Sequence, residues 1–216
     1  ITMSIMARAR AADPEKGYAT DFISVIVAPH LQAIAESGVK LIRDAGGVNP
    51  AACGRAISQL IEDAGLPLKV AVITGDDLMP KLDEVLAAEP AEMFTGEPTP
   101  PRDAIASANA YLGAFPVAEA LNQGADIVVT GRCVDSAVTL GACIHRFGWQ
   151  HNDLDLLAAG SLAGHLIECG PQATGGNYTD WQEVADTLHE IGYPIAEIAE
   201  DGGVVMTKPK GTGGCV

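Results

Sequence analysis

Aromatic side chains make up only 5% of this chain, and 13 lysines and arginines face 28 acidic residues. The first shortage, beside plentiful alanine and 24 glycines, favours helices packed closely on a sheet over an aromatic-rich sandwich. The second sets a net charge of -15. That charge argues against nucleic acid and anionic membranes as partners, since counterion release needs clustered Lys and Arg. An anionic small molecule stays open, because it needs only a local pocket. No apolar run nears the roughly 20 residues of a membrane span; the longest, Phe22-Ile23 with Val25 to Ala28, is broken by Ser24. No pair among Cys53, Cys133, Cys143, Cys169 and Cys215 has the spacing of a metal ribbon or a redox couple. Their number is odd. They read as reduced thiols of a cytoplasmic protein with no metal site, Cys133 and Cys169 being small buried hydrophobes.

What is present is a repeated strand-turn-helix rhythm in 216 residues, enough for one ample core or two small ones. The organising stretch runs over 124–141. Ile127-Val128-Val129 is an uninterrupted β-branched run, the pattern of a strand buried on both faces. Thr130-Gly131 breaks it, and Asp135 or Ser136 opens an apolar-periodic helix. Earlier, a strand at 39–42 leads through a glycine turn to Asn49-Pro50, a cap and a first helical residue. That helix runs to about Ala64 and is expected to bury Ala52, Ala56, Leu60 and Ile61. A second buried strand at 68–74 is followed by Gly75-Asp76-Asp77 and a helix over 78–88. The rhythm implies an α/β fold, a mostly parallel sheet of strands 39–43, 68–74 and 125–130 with helices on both faces.

Other segments are plainer. Residues 1–12 have helical composition, and a helical pattern over 19–37 contains Pro29, which ends or kinks it. Four prolines in 89–102 mark a surface excursion. Residues 107–114 read better as strand than helix. Over 154–169, Leu154, Leu157, Leu162 and Leu166 fall near one stripe, and Gly160 with Gly164 lets another backbone come close. A helix at 182–191 and a hairpin of 195–198 with 204–207 follow. The rhythm changes here, so residues 1–150 read as the parallel-sheet core and 151–216 as a smaller helix-plus-hairpin portion. Both ends read as internal to a longer chain.

Polar chemistry gathers at three places. In an open α/β sheet ligands bind beyond the carboxyl ends of the strands, which is where Arg132, Asp135 and Ser136 sit; plain capping and an Arg132–Asp135 pair are the alternative. His165 and Glu168, three apart on a helix, can orient each other for proton transfer, or simply form a surface pair. The loops Thr174-Gly175-Gly176 and Thr212-Gly213-Gly214 can offer backbone amides to an anion, with Lys208 close by, or mark ordinary turns. Neither is a Walker A loop or a dinucleotide fingerprint.

Four stretches carry a resemblance. Gly-Ala-Asp-Ile-Val-Val-Thr-Gly-Arg at 124–132 is one, and Gly-His-Leu-Ile-Glu-Cys-Gly-Pro-Gln-Ala-Thr-Gly-Gly-Asn-Tyr-Thr-Asp-Trp at 164–181 is the more specific. Asn49-Pro50 behind a glycine pair, and Thr207-Lys208 ahead of Thr212-Gly213-Gly214, fit as well. Over essentially its whole length the chain resembles the acyclic terpene utilisation family, whose name comes from bacterial gene clusters that degrade citronellol and geraniol. The resemblance implies a cytosolic protein of branched acyl-CoA breakdown and carries over no catalytic residue.

The expected function is an enzyme acting by addition-elimination or carbon-carbon cleavage on a carboxylated or CoA-linked substrate, the CoA thioester entering as substrate. A non-catalytic binding or assembly subunit serving an acyl-CoA carboxylase is the alternative. The candidate catalytic residues are His165, Glu168, Arg132 and Asp135, expected in one crevice. The candidate substrate-binding residues are Asn49, Ser136, Gln172, Thr174, Gly175, Gly176, Asn177, Lys208, Thr212, Gly213 and Gly214. The expected partners are a small anionic substrate and further copies of the same chain.

Overall fold

The short apolar runs pair as the sequence predicts. A computed structural model describes residues 2–216. They divide into two compact units, Ile1–Pro116 with Ala120–Cys133 and Val117–Glu119 with Val134–Val216. Residues 134–150, read from sequence with the first part, fall in the second unit. Among the described residues no helix is long and apolar enough to cross a membrane.

In the first unit, helix α1 (Thr2–Ala12) buries none of its residues and stops at Asp13-Pro14. A π-helical turn, Phe22–Val27, then runs directly into α2 (Ala28–Ser37), with Pro29 in the first turn of α2. A proline has no N–H to give and clashes with the carbonyl four residues back. The wider π register before it relieves both problems without ending the helix. Strand β1 (Leu41–Arg43) leads to α3 (Pro50–Ala64), which closes on Gly65 in the left-handed conformation, φ 63°. Its most deeply buried stripe is Cys53, Ile57 and Ile61, with Ala52 alongside; Ala56 and Leu60 are only half-buried. Ala52 and Ile61 are thus buried as expected, while the stripe between them runs through Cys53 and Ile57 in place of Ala56 and Leu60.

Strand β2 (Val70–Ile73) is followed by a 3-10 turn, Met79–Lys81, and only then by α4 (Leu82–Ala87). Pro80 sits inside that turn, which delays the helix expected from residue 78. Residues 89–102 are exposed almost throughout. Residues 107–114 are no strand. Isolated bridges join Asn109 antiparallel to Asp77 and Leu112 parallel to Cys133, so two directions of pairing prevent one ladder. Helix α5 (Phe115–Asn122) precedes β3 (Ile127–Thr130).

The sheet order is β1-β3-β2, all parallel, with Leu41 and Val70 both level with Ile127. All four residues of β3 are buried. Ile127 and Val129 join Phe22, Val27, Leu31, Cys53, Ile57 and Ile61 in one core, while Val128 and Thr130 alternate to the other face. β2, read as a buried strand, is an edge like β1, and its Val72 is 39% exposed. Asp126 ties the three strands at their start. Its carboxylate accepts from Lys40 Nζ at 2.7 Å and from the Lys69 N–H at 2.9 Å, and its carbonyl from the Leu41 N–H at 2.9 Å.

In the second unit, α6 (Ala137–Phe147) and α7 (Leu154–Glu168) pack against each other. Gly160 and Gly164 make the approach possible. A Cβ on Gly164 would stand 2.7 Å from the Ser136 carbonyl oxygen, and one on Gly160 would stand 2.8 Å from Leu140 and from the Trp149 ring. The packed face of α7 is thus Gly160, Ala163 and Gly164. This is the close approach that the Gly160–Gly164 spacing predicts; the leucine stripe is largely exposed, with Leu154 70% and Leu162 59% exposed and Leu157 half-buried. Past α7 come 3-10 turns at Gly170–Thr174, Trp181–Glu183 and Ala185–Glu190 in place of the helix expected over 182–191. The Thr187 hydroxyl there bonds the Val184 carbonyl, a local tie that competes with a helical ladder. Strands β4 (Ile195–Ile198) and β5 (Val204–Thr207) form the antiparallel hairpin predicted.

Candidate functional site

The parallel sheet of the first unit delivers a polar residue from each strand end: Asp44 after β1, Asp76 and Asp77 after β2, Arg132 after β3. Cross-ties hold these turns together. The Gly46 N–H donates to the Thr130 carbonyl at 3.0 Å, Gly131 to Ile73 at 3.1 Å and Leu112 to Arg132 at 3.1 Å. Asp76 is the anchor. It is 2% exposed, and its Oδ2 accepts the Arg132 N–H at 2.8 Å and the Asn109 side-chain amide at 2.9 Å. A carboxylate so deep is tolerated because it is hydrogen-bonded. Gly131 lies against it, and any Cβ there would overlap the carboxylate.

Arg132 itself is a stacked cation. Its guanidinium stacks 4.3 Å from the centre of the Tyr111 ring and stands 3.8 Å from Asp44, with 23% of the side chain exposed. The stack on Tyr111 sets the plane of the group, while Asp44, beyond hydrogen-bond distance, adds only a weak attraction. A fixed guanidinium at a strand edge can take a carboxylate, a phosphate or a carbonyl oxygen that gains charge.

Asp135, Ser136, His165 and Glu168 lie in the second unit. Ser136 stands at the N-cap of α6 but makes no side-chain cap; it is buried, with its backbone against Gly164. Glu168 accepts a hydrogen bond from Cys169 Sγ at 2.8 Å, whereas His165 is exposed. At the last turn of α7 the neighbouring thiol thus shares the Glu168 carboxylate. Cys169 is also exposed and not the buried hydrophobe expected. Its bond to Glu168, then burial and the charges of Glu168 and Asp135, raise the thiol above its ordinary pKa, which holds it protonated. Cys133 and Cys53 are buried, and burial pushes Cys53 up to about 12.

The two glycine loops do come together. The Cys215 N–H donates to the Thr174 carbonyl at 2.9 Å, and Gly175 packs on Gly214 and Cys215. Their amides, however, are bonded inside the protein. Gly176 donates to Pro171, Asn177 to Gln172, Gly213 to Glu190, and Gly214 to the Thr187 hydroxyl. Thr174 is buried with its hydroxyl on the Gly192 carbonyl, and the Asn177 and Gln172 side chains bond each other at 2.7 Å. Lys208 donates to the carbonyls of Thr212 at 2.9 Å and Gly213 at 2.5 Å. The loops are a self-satisfied structural knot, because tight 3-10 turns close their own donors. Asn49 is engaged likewise, capping α3 and donating to the carbonyls of Pro14 and Lys16.

Sequence reasoning missed Asp44, Asp76, Asn109 and Tyr111. The signal was available for Asp76: Gly75-Asp76-Asp77 follows β2 as Gly131-Arg132 follows β3. Asn109 and Tyr111 come from an irregular segment with no pattern to read. Among the described residues no three His, Cys, Asp or Glu side chains are grouped to hold a metal ion.

The fold and this edge define an α/β protein whose polar groups collect at the carboxyl ends of a parallel sheet. The sequence model of the family described as acyclic terpene utilisation family protein AtuA matches residues 1–216, and the chain belongs to that family. No curated protein and no solved structure matches it.

Proposed function

We propose that the chain is an enzyme of branched or terpenoid acyl-CoA catabolism, acting on a carboxylated or CoA-linked substrate by addition-elimination or carbon-carbon cleavage. The family supports a role in terpene breakdown. The observation that carries the chemistry is Arg132, stacked on Tyr111 at the carboxyl end of β3. Reactions of either kind place negative charge on a carbonyl oxygen, and a pre-oriented cation in a partly buried edge stabilises it without rearrangement. Lysine would not replace it, since the stacked planar fork is lost. Melting the protein with a panel of CoA thioesters finds the ligand, and product analysis then tests turnover. The reading requires that Arg132→Lys lose turnover by roughly 10²-fold or more, as when one oxyanion donor is removed, with the melting temperature held. Full turnover by Arg132→Lys would remove it. The proton-transfer candidates Asp135, His165 and Glu168 are tested separately by single amide or glutamine replacements.

A second reading, a binding or assembly subunit serving an acyl-CoA carboxylase, is favoured by the exposed stripe Leu154, Ala158, Leu162 and Leu166 on α7. Contiguous apolar surface of this sort marks association. The same stripe suits a homo-oligomer. Light scattering of the wild type and of Leu162→Glu reads self-association directly, and thioester binding without product favours the subunit.

A further inference from the structure

Within the first unit an open cleft of about 390 Å³ lies between α1 and the segments 77–80 and 106–109. That is within the roughly 300–1,000 Å³ of pockets that hold small molecules. One wall is apolar: Ala7, Ala11, Val48, Met79, Pro80 and Ala106. Four polar residues, Arg10, Asp77, Ser107 and Asn109, break it. Arg10 Nη1 donates to the Val48 carbonyl at 2.5 Å and reaches Asp77 Oδ2 at 3.3 Å. The first bond places the guanidinium. The second is long for a charge-assisted bond, ordinarily about 2.7–2.9 Å, and joins side chains 46% and 33% exposed, a class of pair that contributes little. The other oxygen of Asp77 is taken by the Met79 N–H at 2.9 Å, so Asp77 does not meet Arg10 with both oxygens.

We propose that this cleft binds an aliphatic carboxylate. Its chain lies along the alanine wall, and its carboxylate replaces Asp77 on Arg10 with both oxygens engaged. The cleft joins the strand edge by a short chain of bonds: Asn109, which lines it, donates to Asp76, and Asp76 accepts the Arg132 N–H. The inference goes beyond the strand-edge reading, since Asp44, Tyr111 and Arg132 do not line the cleft. α1, which buries no residue of its own, gains a role as one wall of the site.

Calorimetric titration of the whole chain with octanoate, octanol and acetate tests it. Octanoate binds, octanol binds about tenfold more weakly, and acetate, lacking the chain, gives no detectable heat. Asp77→Asn keeps the turn to Met79 but removes the competing charge, so octanoate should bind about three- to tenfold more tightly. Ala106→Trp fills the cleft and should remove binding. Equal affinity for octanol and octanoate overturns the proposal. So does an Asp77→Asn protein that binds no more tightly, an Ala106→Trp protein that binds undiminished, or no binding at all. If Ala106→Trp does not fold, Asp77→Asn alone decides. Turnover of thioesters by Arg132→Lys is a different readout, so failure of the cleft and failure of the proposed activity stay distinguishable.

Discussion

Replacing Gly131 by alanine should damage the strand edge through one contact. The new Cβ would stand 2.5 Å from Asp76 Cγ and 2.7 Å from Oδ2, so the carboxylate must move. The backbone of Gly131 is not in the left-handed region, and alanine brings no conformational strain of its own. Moving Asp76 breaks the bonds from the Arg132 N–H and the Asn109 amide. Each bond to a charged acceptor is worth about 1.5–3 kcal/mol, so with partial relaxation a loss of roughly 2–4 kcal/mol is expected. At about 2–4 °C per kcal/mol for a chain of this size, the melting temperature should fall by roughly 5–15 °C. Asp76→Ala alone should cost a similar amount, since it leaves two donors without an acceptor. In the double variant the collision is gone, so Gly131→Ala should then cost less than about 0.5 kcal/mol. Urea unfolding of the four proteins, followed by circular dichroism, gives the cycle. Additive costs would show that Gly131 is not there to admit Asp76, and the anchoring role given to that carboxylate would fall with it.

Three further outcomes are expected. Burial raises the Asp126 pKa, but the bond from Lys40, the Lys69 N–H and the two lysine charges lower it further, so it rests below its ordinary value. A depressed carboxylate contributes stability above the unfolded pKa of about 3.9 and loses it as pH falls through the folded value. Asp126→Asn should therefore be about 1–2 kcal/mol less stable at pH 7, with the gap to wild type closing below about pH 4, read by urea midpoints across pH. Gly164→Ala should wedge α6 from α7, because its Cβ meets backbone atoms of Ser136 within 2.9 Å; a cost of about 1–3 kcal/mol should appear as a lower melting temperature. The Cys169 thiol, held protonated mainly by its bond to Glu168, should react slowly with iodoacetamide near pH 8. Glu168→Gln should speed that reaction several-fold by mass spectrometry, and an unchanged rate would deny the bond its effect.

The sheet was legible because its signals are local. Ile127-Val128-Val129, β-branched and bounded by glycine turns, carries the pattern of a buried strand, and Asn49-Pro50 that of a helix start. The helix faces were harder. On α7 the spacing of Gly160 and Gly164 announced a close backbone approach, and packing followed the glycines, but the leucine stripe beside them did not say which side it would face. Arg132 was read correctly as lying at a strand end. Its companions were not, since Asp44 and Tyr111 come to it from 88 and 21 residues away in sequence (132 less 44 and 111). The glycine loops were legible as turns that come together, but not the internal partners of their amides, which lie in segments distant in sequence such as Thr187 and Glu190.

The sheet order carries a consequence for how the chain acquires its structure. β3 is the last strand of the parallel sheet to be made and the one that both others pair with. The ties from Lys40 and Lys69 to Asp126 span 86 and 57 residues. Until Asp126 and Ile127 arrive, β1 and β2 have edges with no neighbour, and contacts this distant in sequence form slowly. A nascent or truncated chain that stops before residue 126 holds α3 between two unpaired strands, a state open to association through those edges. Folding of the first unit is thus gated by its final segment. Strand β3 serves there as a keystone, set last and bearing on both sides.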